Sequence, residues 1–191
     1  MRSTEELKEQ LIDFIPFNEQ ENNDKHYFLN CLNAFDNVLT RENEAVHFTA
    51  SAFVLNQDKT KVLVVHHKIY GAWVCPGGHA DGEADLLAVV LREVEEETGQ
   101  KAEPICESIF AIQSYEIGQH IRKRKLVPYH EHLDVVYLLQ ADDTKELKFR
   151  PEESLGAKWV DIRDVTGAEI VDFTRETNEK IIRKMRDMNI C

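Results

Sequence analysis

The sequence predicts an α+β fold, with helices packed on a sheet in the manner of an α/β/α sandwich. Stretches of alternating apolar residues, typical of strands, surround one central amphipathic helix, and helical patterns occupy both ends of the chain. A length of 191 residues accommodates one domain with a substantial core and an appended element. We therefore expect an N-terminal helical extension over residues 1–43 and a larger domain over residues 44–191.

The composition is that of an acidic globular protein. Its 23 basic and 35 acidic residues leave a net charge of −12, which argues against a nucleic acid polymer or an anionic membrane as a partner. The four cysteines are scattered, without a CxxC pair, and indicate reduced thiols. No apolar run approaches the roughly 20 residues of a membrane helix, and the polar start does not resemble a signal peptide, so we expect a cytoplasmic protein.

Two helices are predicted before the first strand. Ser3 and Glu6 form a capping-box pattern that begins a helix, and Pro16 is expected to end it. The pattern changes abruptly at His47, where strands begin. Before that point, apolar residues at helical spacing predict a second helix through Phe28, Leu32, Phe35 and Leu39.

Strand patterns then dominate until the C-terminal helix. The segments Phe48–Leu55 and Lys61–His67 flank the turn-rich NQDKT and predict a hairpin, and the short strand AWVC leads into a Pro-Gly-Gly turn. The segments SIFAIQSYEI and HLDVVYLLQ predict a second antiparallel pair, and AKWVDI predicts a last short strand. From about Thr174 the chain is predicted to be helical, with these side chains facing inward: Ile181, Ile182, Met185 and Met188.

One predicted helix concentrates negative charge. Its apolar stripe begins after Asp85, and Gly99 provides the C-terminal stop. On its polar side Glu93 and Glu97 are i, i+4 neighbours with Glu96 beside them, so their side chains converge at about 5–6 Å. Like charges near a helix C-terminus oppose the helix dipole, and a bound cation would offset that cost.

The glutamate cluster has two interpretations. One is a solvated acidic face, since glutamate-rich helix surfaces are common. The other is a metal site, whose oxygen-only ligands would favour Mg²⁺ or Mn²⁺ over zinc. The Gly-Gly turn before the helix lets the backbone approach closely, so the carbonyl of Gly78 could complete the coordination.

The spacing of this stretch matches a known pattern. From Gly78 the chain runs through Ala84 to the segment REVEEETGQ, which spans residues 92–100. It resembles the Nudix box, G-x5-E-x7-R-E-U-x-E-E-x-G-U, where U is a bulky apolar residue. The match is complete from Arg92 to Gly99, whereas Ala84 replaces a glutamate and Gln100 replaces the final apolar residue. The chain is therefore similar to Nudix hydrolases over roughly residues 46–165, which implies a Nudix-like sandwich with a mixed sheet.

The resemblance implies roles for the residues of the box. Glu93, Glu96 and Glu97 would bind the divalent ions and take part in catalysis, with the carbonyl of Gly78 as a further ligand.

Arg92 would join the catalytic set by orienting a glutamate through an ion pair. Its usual partner in the family is the glutamate that Ala84 replaces. Glu83 and Asp85 flank this gap, and either could substitute.

A loop glutamate outside the box often joins the metal site in this family, shortly before a strand tryptophan. Glu153 precedes Trp159 by six residues and is the candidate ligand, with Glu152 adjacent. The other interpretation is a loop carboxylate without a role.

The expected reaction is hydrolysis of a phosphoanhydride, with Mg²⁺ or Mn²⁺ as cofactor. Metal ions polarise phosphoryl oxygens and lower the pKa of a bound water, while carboxylates supply ligands and a base. We expect the substrate to be a small-molecule nucleoside diphosphate linked to another group, and Glu93 to be the base.

Two other functions are consistent with the sequence. Isopentenyl diphosphate isomerases share this fold and place a cysteine near the same turn, as Cys75 lies in VCPGGH; a buried strand cysteine is the alternative. A ligand-binding module without turnover would lack box carboxylates, and here only the one at Ala84 is missing.

Substrate recognition is expected beside the box. His130, His132 and Asp134 alternate in PYHEHLDVVYLL, so a strand would project all three from one face. The upstream segment HIRKRK is a basic patch in an acidic protein. Other interpretations are a solvated hairpin tip, and a zinc site of the two histidines with no evident third ligand beyond Asp134. The candidate substrate-binding residues are His79, Arg122, Arg124, His130 and His132.

Overall fold

The computed structural model describes residues 3–122, 124–152, 154–167, 169–170 and 172–190, with residues 122, 172 and 173 described by their backbone alone. The helices in these residues are α1 (Thr4–Asp13), α2 (Glu19–Ala34), α3 (Leu86–Thr98) and α4 (Asp172–Asp187). The strands there are β1 (Val46–Leu55), β2 (Lys61–His67), β3 (Ala72–Val74), β4 (Gly77–His79), β5 (Glu103–Pro104), β6 (Ala111–Ile117), β7 (His120–Arg122), β8 (Lys125–Val127), β9 (His130–Gln140) and β10 (Ser154–Asp161).

A mixed sheet forms the centre of the molecule. Across the described residues its strands run in the order β10-β2-β1-β9-β5, with β3 paired to β2, β4 to β1 and β6 to β9. The predicted hairpin of β1 and β2 and the predicted antiparallel pair of β6 and β9 are both confirmed. At the centre, β1 and β9 are parallel, from Val46 beside Glu131 to Leu55 beside Gln140. This pairing places residues that are far apart in the sequence side by side.

Apolar side chains on the two faces of the sheet belong to two core clusters. Phe48 and Ala50 of β1 lie on the face that packs with α1, α2 and α3. Phe53 and Leu55 of the same strand lie in the opposite cluster, together with Ile181 of α4. The sheet is therefore enclosed by helices on both sides, which confirms the predicted α/β/α sandwich.

The two N-terminal helices contribute to the main core. Ser3 begins α1 with the predicted capping box, and the helix ends before Pro16, as expected. Leu7 and Leu11 of α1 are fully buried, as is Phe28 of α2. These three side chains lie in the same apolar cluster as one face of the sheet, so both helices cover that face.

Helix α2 is shorter than the apolar spacing predicts. It ends at Ala34, because Phe35 takes an extended conformation (φ −129°, ψ 119°). Asp36 and Asn37 follow in a turn, for which both residue types are favoured. Phe35 is consequently 42% exposed, while Leu39 reaches the core from the turn instead of from a helix.

Helix α4 also ends earlier than predicted. Ile181 and Met185 are buried as expected, but Met188 is 56% exposed and lies beyond the last helical residue, Asp187. Asn189 has a positive φ of 53°, a conformation that commonly terminates helices. None of the described helices combines the length and apolar character that crossing a membrane requires.

Candidate active site

A cavity of about 630 Å³ lies where the glycine turn, helix α3 and the polar side of the β1–β9 pair meet. The β7–β8 hairpin and helix α4 complete its wall. Its volume is within the range of roughly 300–1,000 Å³ that is common for small-molecule sites. The sheet supplies its floor, so side chains at alternate strand positions project into it.

The Gly-Gly turn brings backbone close to both the sheet and the helix. Gly77 pairs with Ser51 and Gly78 with Ala50 across β4 and β1. A Cβ on Gly77 would lie 2.5 Å from the carbonyl oxygen of Ala50, and a Cβ on Gly78 would lie 2.5 Å from Cδ of Glu93. Gly77 is therefore required for strand pairing, whereas Gly78 leaves room for the carboxylate of Glu93 to approach the turn.

Helix α3 presents the glutamates to this turn. Asp85 caps its N-terminus by accepting a 3.4 Å hydrogen bond from the N–H of Ala88, and Gly99 ends it with a φ of 70°. Glu97 is only 4% exposed, and its Oε2 accepts a 3.0 Å hydrogen bond from the N–H of Gly77. The turn thus holds one carboxylate of the box in a fixed position.

The other box glutamates have different surroundings. Glu93 lies against Gly78. Both Glu93 and Glu97 line the cavity. Glu96 instead forms a 2.8 Å ion pair with Arg150 at the outer edge of the helix. The cavity wall in the described part of the chain therefore contains Glu93 and Glu97 as its box carboxylates.

Arg92 has a carboxylate partner despite the departure from the box at Ala84. Its Nη1 lies 2.9 Å from Oε2 of Glu83, and this hydrogen bond raises the pKa of the guanidinium. Of the two flanking acids that could substitute, Glu83 forms the pair, since Asp85 caps α3. Ala84 is itself 8% exposed and packs in the apolar core.

The loop glutamate expected from the resemblance is Glu153, which lies outside the described residues. Its neighbour Glu152 is exposed and lines the cavity. The loop before β10 therefore brings a carboxylate to the same cavity as helix α3.

Four histidines gather on the cavity wall. His130 and His132 are 7% and 3% exposed, and their Nε2 atoms are 3.2 Å apart. His47, 4% exposed, is paired with His132 in the parallel strands. The ring of His79 lies 5.2 Å from that of His47 and 4.9 Å from that of His132, measured between centroids. The wall therefore contains a compact group of imidazoles rather than solvated surface histidines.

Burial favours the neutral form of three of these rings, those of His47, His79 and His132. Desolvation lowers the pKa of His47 and His132, and it lowers that of His79 to about 3. Neighbouring imidazoles act in the same direction, because each would repel the positive charge of another. Neutral rings offer a lone pair at one nitrogen.

Asp134 forms a buried polar network next to the histidines. It is 2% exposed and accepts hydrogen bonds of 2.8 Å from the hydroxyl of Thr49 and 2.6 Å from that of Ser51. Gln113 Nε2 lies 3.4 Å away, and Gln113 in turn accepts from the hydroxyl of Thr177 in α4. Burial raises the pKa of Asp134, although the hydrogen bonds oppose this.

Several of these residues were not recognised in the sequence, namely His47, Thr49, Ser51 and Gln113. The first three alternate in β1, with the buried residues Phe48 and Ala50 between them. Alternation of polar side chains in an otherwise apolar strand was therefore a usable signal for a functional face.

The basic segment forms the β7–β8 hairpin at the rim of the cavity. Arg124 is exposed at its turn with a φ of 66°, and the side chain of Arg122 lies outside the described residues. His120 and Lys125 line the cavity. Among the described lysine and arginine side chains of the hairpin, Lys125 is thus the one that lines the cavity.

Cys75 is partly buried immediately before the glycine turn. Its Sγ lies 3.7 Å from Oδ1 of Asn178 in α4. Desolvation, followed by the charge of Asp134, raises its pKa to about 12. The thiol is therefore protonated across the physiological range and is not available as a thiolate base or nucleophile.

A family model described as "NUDIX domain" matches residues 45–185. Among curated proteins, Nudix hydrolase 6 of Arabidopsis thaliana is 33% identical over 119 residues, which are 59% of this chain and 38% of that protein. RNA pyrophosphohydrolase of Pelagibacter ubique is 27% identical over 141 residues, which are 71% of this chain and 88% of that protein. The chain thus spans well under half of the plant relative and most of the bacterial one.

Solved structures share the fold at low sequence identity. A NUDIX-family hydrolase from Clostridium perfringens superposes with a TM-score of 0.52 at 22% identity, covering 72% of this chain and 96% of that one. Dihydroneopterin triphosphate pyrophosphohydrolase of E. coli superposes with a TM-score of 0.52 at 19% identity, covering 71% and 95%. These similarities concern the architecture of the sheet and its helices.

Proposed function

The chain belongs to the Nudix family, and on this premise we propose that it is a pyrophosphohydrolase that depends on Mg²⁺ or Mn²⁺. Its substrate would be a nucleoside diphosphate linked to another group, cleaved at the phosphoanhydride bond. The observation that carries this proposal is the meeting of Glu93 and Glu97 with the Gly-Gly turn in the wall of a cavity of substrate size.

The carboxylates fit a hard divalent cation. Their ligand atoms are oxygens, which Mg²⁺ and Mn²⁺ prefer, and a side chain at Gly78 would fill the space beside the carboxylate of Glu93. Glu93 and Glu97 would hold the ion, with Glu153 and the carbonyl of Gly78 as further ligands that the family pattern supplies. Glu96, the remaining ligand of that pattern, would have to exchange its ion pair with Arg150 for the metal. When bound, such an ion neutralises phosphoryl charge and acidifies water.

Protein groups around the carboxylates keep them in position. The N–H of Gly77 holds Glu97 from the turn, and the Arg92–Glu83 pair ties the polar side of α3 to the loop before it. We propose Glu93 as the base that accepts the proton of the attacking water, and its position beside Gly78 in the cavity lining supports this role. Pre-set positions of this kind lower the barrier, because little reorganisation is needed during the reaction.

The other residues that line the cavity support this substrate class. Lys125 at the hairpin supplies a positive charge for phosphate oxygens, while Tyr70 and Tyr115 supply aromatic surface of the kind that packs on a base. Thr49, Ser51 and Asp134 supply a buried polar group in the same cavity. A ligand with a charged diphosphate and a largely neutral nucleoside matches this division.

A substrate panel tests the proposal. Purified protein is freed of metal with EDTA and incubated with nucleoside diphosphate derivatives and triphosphates, with Mg²⁺, Mn²⁺ or no metal, and phosphate is measured after phosphatase coupling. We expect turnover of at least one compound that is lost with EDTA and restored by either ion. Full turnover without metal would overturn the metal dependence, and binding without turnover would favour a ligand-binding module.

A further inference from the structure

Three buried imidazoles converge in the cavity wall beside the carboxylates. We propose that His47, His130 and His132 form a second metal site, which binds a zinc-class transition-metal ion. This site shares no residue with the carboxylate set of the proposed hydrolase centre, so it goes beyond the proposed function. His79 lies next to it, on the side of the glycine turn.

The distances suit one ion shared by three rings. One ligand nitrogen from each of the three histidines lies within 4.8 Å of the others, and the Nε2 atoms of His130 and His132 are 3.2 Å apart. Two nitrogens bound to a tetrahedral zinc ion at about 2.0–2.1 Å lie about 3.3 Å apart. The ring centroids are separated by 5.0 Å for His47 and His130, 4.9 Å for His47 and His132, and 5.0 Å for His130 and His132. The group is thus nearly an equilateral triangle.

Backbone carbonyls set the tautomers of two of the rings. The oxygen of Asn43 lies 2.9 Å from Nδ1 of His47, and the oxygen of Pro128 lies 2.9 Å from Nδ1 of His130. Because a carbonyl only accepts, each Nδ1 carries the proton of the neutral ring, and each Nε2 presents a lone pair. Metal-ligating histidines usually have their second nitrogen engaged in this way.

Two ring nitrogens of the group are buried without a hydrogen-bond partner. His47 Nε2 has no hydrogen-bond partner among the residues that the structure describes, and neither has Nδ1 of His132. Buried polar atoms are rarely left in this state, because each forfeits its hydrogen bond to water. A metal ion between the three rings would satisfy the lone pair of His47, and it would replace the 3.2 Å hydrogen bond between the Nε2 atoms of His130 and His132.

The ligand type selects the ion. Neutral imidazoles favour zinc and its transition-metal neighbours, whereas Mg²⁺ prefers oxygen. Three protein ligands also leave a fourth tetrahedral position, as in zinc sites that exchange a ligand. Since all three histidines line the cavity, a ligand in that position would come from the cavity, where an anionic oxygen of the substrate is the fitting chemistry.

Zinc binding by the full chain tests the proposal without any measurement of hydrolysis. Metal-freed protein is dialysed against Zn²⁺ in the presence of excess Mg²⁺, which occupies carboxylates and leaves imidazoles available. We expect one zinc ion per chain. An absence of bound zinc in the wild-type protein would overturn the site.

A conservative variant identifies the ligands. In His47→Asn the side-chain amide can still donate to the carbonyl of Asn43, but the nitrogen that faces the cluster is gone. We expect zinc affinity to fall at least about 100-fold, more than the loss typical of changes outside the ligand shell. The matched control is His26→Asn, at an exposed histidine on α2, and Glu93→Gln controls for zinc bound by the carboxylates. Both should bind zinc as the wild type does.

X-ray absorption of the zinc-loaded wild type tests the site even if His47→Asn does not fold. We expect three imidazole nitrogens at about 2.0 Å from the ion. Oxygen-only coordination, zinc binding that survives His47→Asn in folded protein, or binding that is lost in Glu93→Gln would each overturn the proposal. None of these outcomes bears on whether the carboxylate centre hydrolyses a phosphoanhydride.

Discussion

The backbone N–H of Gly77 donates a 3.0 Å hydrogen bond to Oε2 of Glu97, so the glycine turn and the last turn of α3 are joined directly. A glutamine side chain retains a carbonyl oxygen that can accept this bond, whereas it loses the negative charge that a cation requires. Glu97→Gln therefore removes the charge of the side chain while it keeps the hydrogen bond to Gly77, so the two contributions can be measured separately.

We expect Glu97→Gln to lower kcat at least about 100-fold with Mg²⁺, because one anionic ligand is removed from the metal centre. The melting temperature should be unchanged or higher, since the substitution relieves repulsion between neighbouring glutamates. Steady-state kinetics and thermal unfolding measure the two effects. The control is Glu95→Gln on the exposed side of the same helix, which should retain wild-type activity. Equal activity of both variants would contradict the role of Glu97.

Alanine substitutions at the two glycines of the turn should have different effects, one on catalysis and the other on stability. In Gly78→Ala the new methyl group displaces the flexible end of Glu93, so we expect kcat to fall about 10- to 100-fold and stability by less than about 1 kcal/mol. In Gly77→Ala the methyl group meets the backbone of Ala50, so the free energy of unfolding should fall by about 1–3 kcal/mol.

Denaturant unfolding and kinetics on the same preparations separate these effects. Gly118→Ala is the matched control, because its nearest neighbour to a new Cβ is 4.0 Å away. Unchanged kinetics in Gly78→Ala would show that Glu93 does not need its present position.

The Arg92–Glu83 pair should act as a unit. Arg92→Gln and Glu83→Gln should each lower kcat/KM by a similar factor, of about tenfold, and the double variant should be no worse than either. Stability should change by less than about 1 kcal/mol, as is usual for exposed ion pairs. A double-mutant cycle on kcat/KM measures the coupling. Additive losses would show that Glu83 is not the functional partner of Arg92.

Lys125 is expected to bind substrate phosphate, since it lines the cavity from the β7–β8 hairpin. Lys125→Ala should raise KM several-fold with little change in kcat, the pattern of lost uniform binding. Arg122→Ala and Arg124→Ala measure the contributions of the other two basic residues, and Lys101→Ala, at an 85% exposed side chain, is the control. A rise in KM for Arg124→Ala but not for Lys125→Ala would assign recognition to the hairpin turn instead.

Cys75 should be dispensable for hydrolysis. Because its pKa is raised to about 12, its thiol stays protonated at neutral pH, and Cys75→Ala should retain most of the hydrolytic activity. Alkylation by iodoacetamide at pH 7 should also be slow, since the thiolate is the nucleophile. Complete loss of hydrolysis in a folded Cys75→Ala protein would revive the isomerase-type alternative.

The sequence by itself determined the features that depend on neighbours along the chain. The β1–β2 hairpin, the start of α1 at Ser3 and the end of α3 at Gly99 follow from local periodicity and capping residues, and all three are present. The convergence of Glu93 and Glu97 is equally local, because it follows from helical spacing alone. The position of these glutamates in the Nudix box indicated the family, and the family-model match over residues 45–185 confirms it.

Only the tertiary structure decided which distant residues meet. The parallel pairing of β1 with β9 sets His47 beside His132 and Thr49 beside Asp134, residues that are 85 positions apart. The tertiary structure also packs the N-terminal helices into the main core and pairs Arg92 with Glu83. Local periodicity reports which face of a strand is polar, but register and strand order arise from the packing of the whole chain, so the histidine group was visible only in the folded protein.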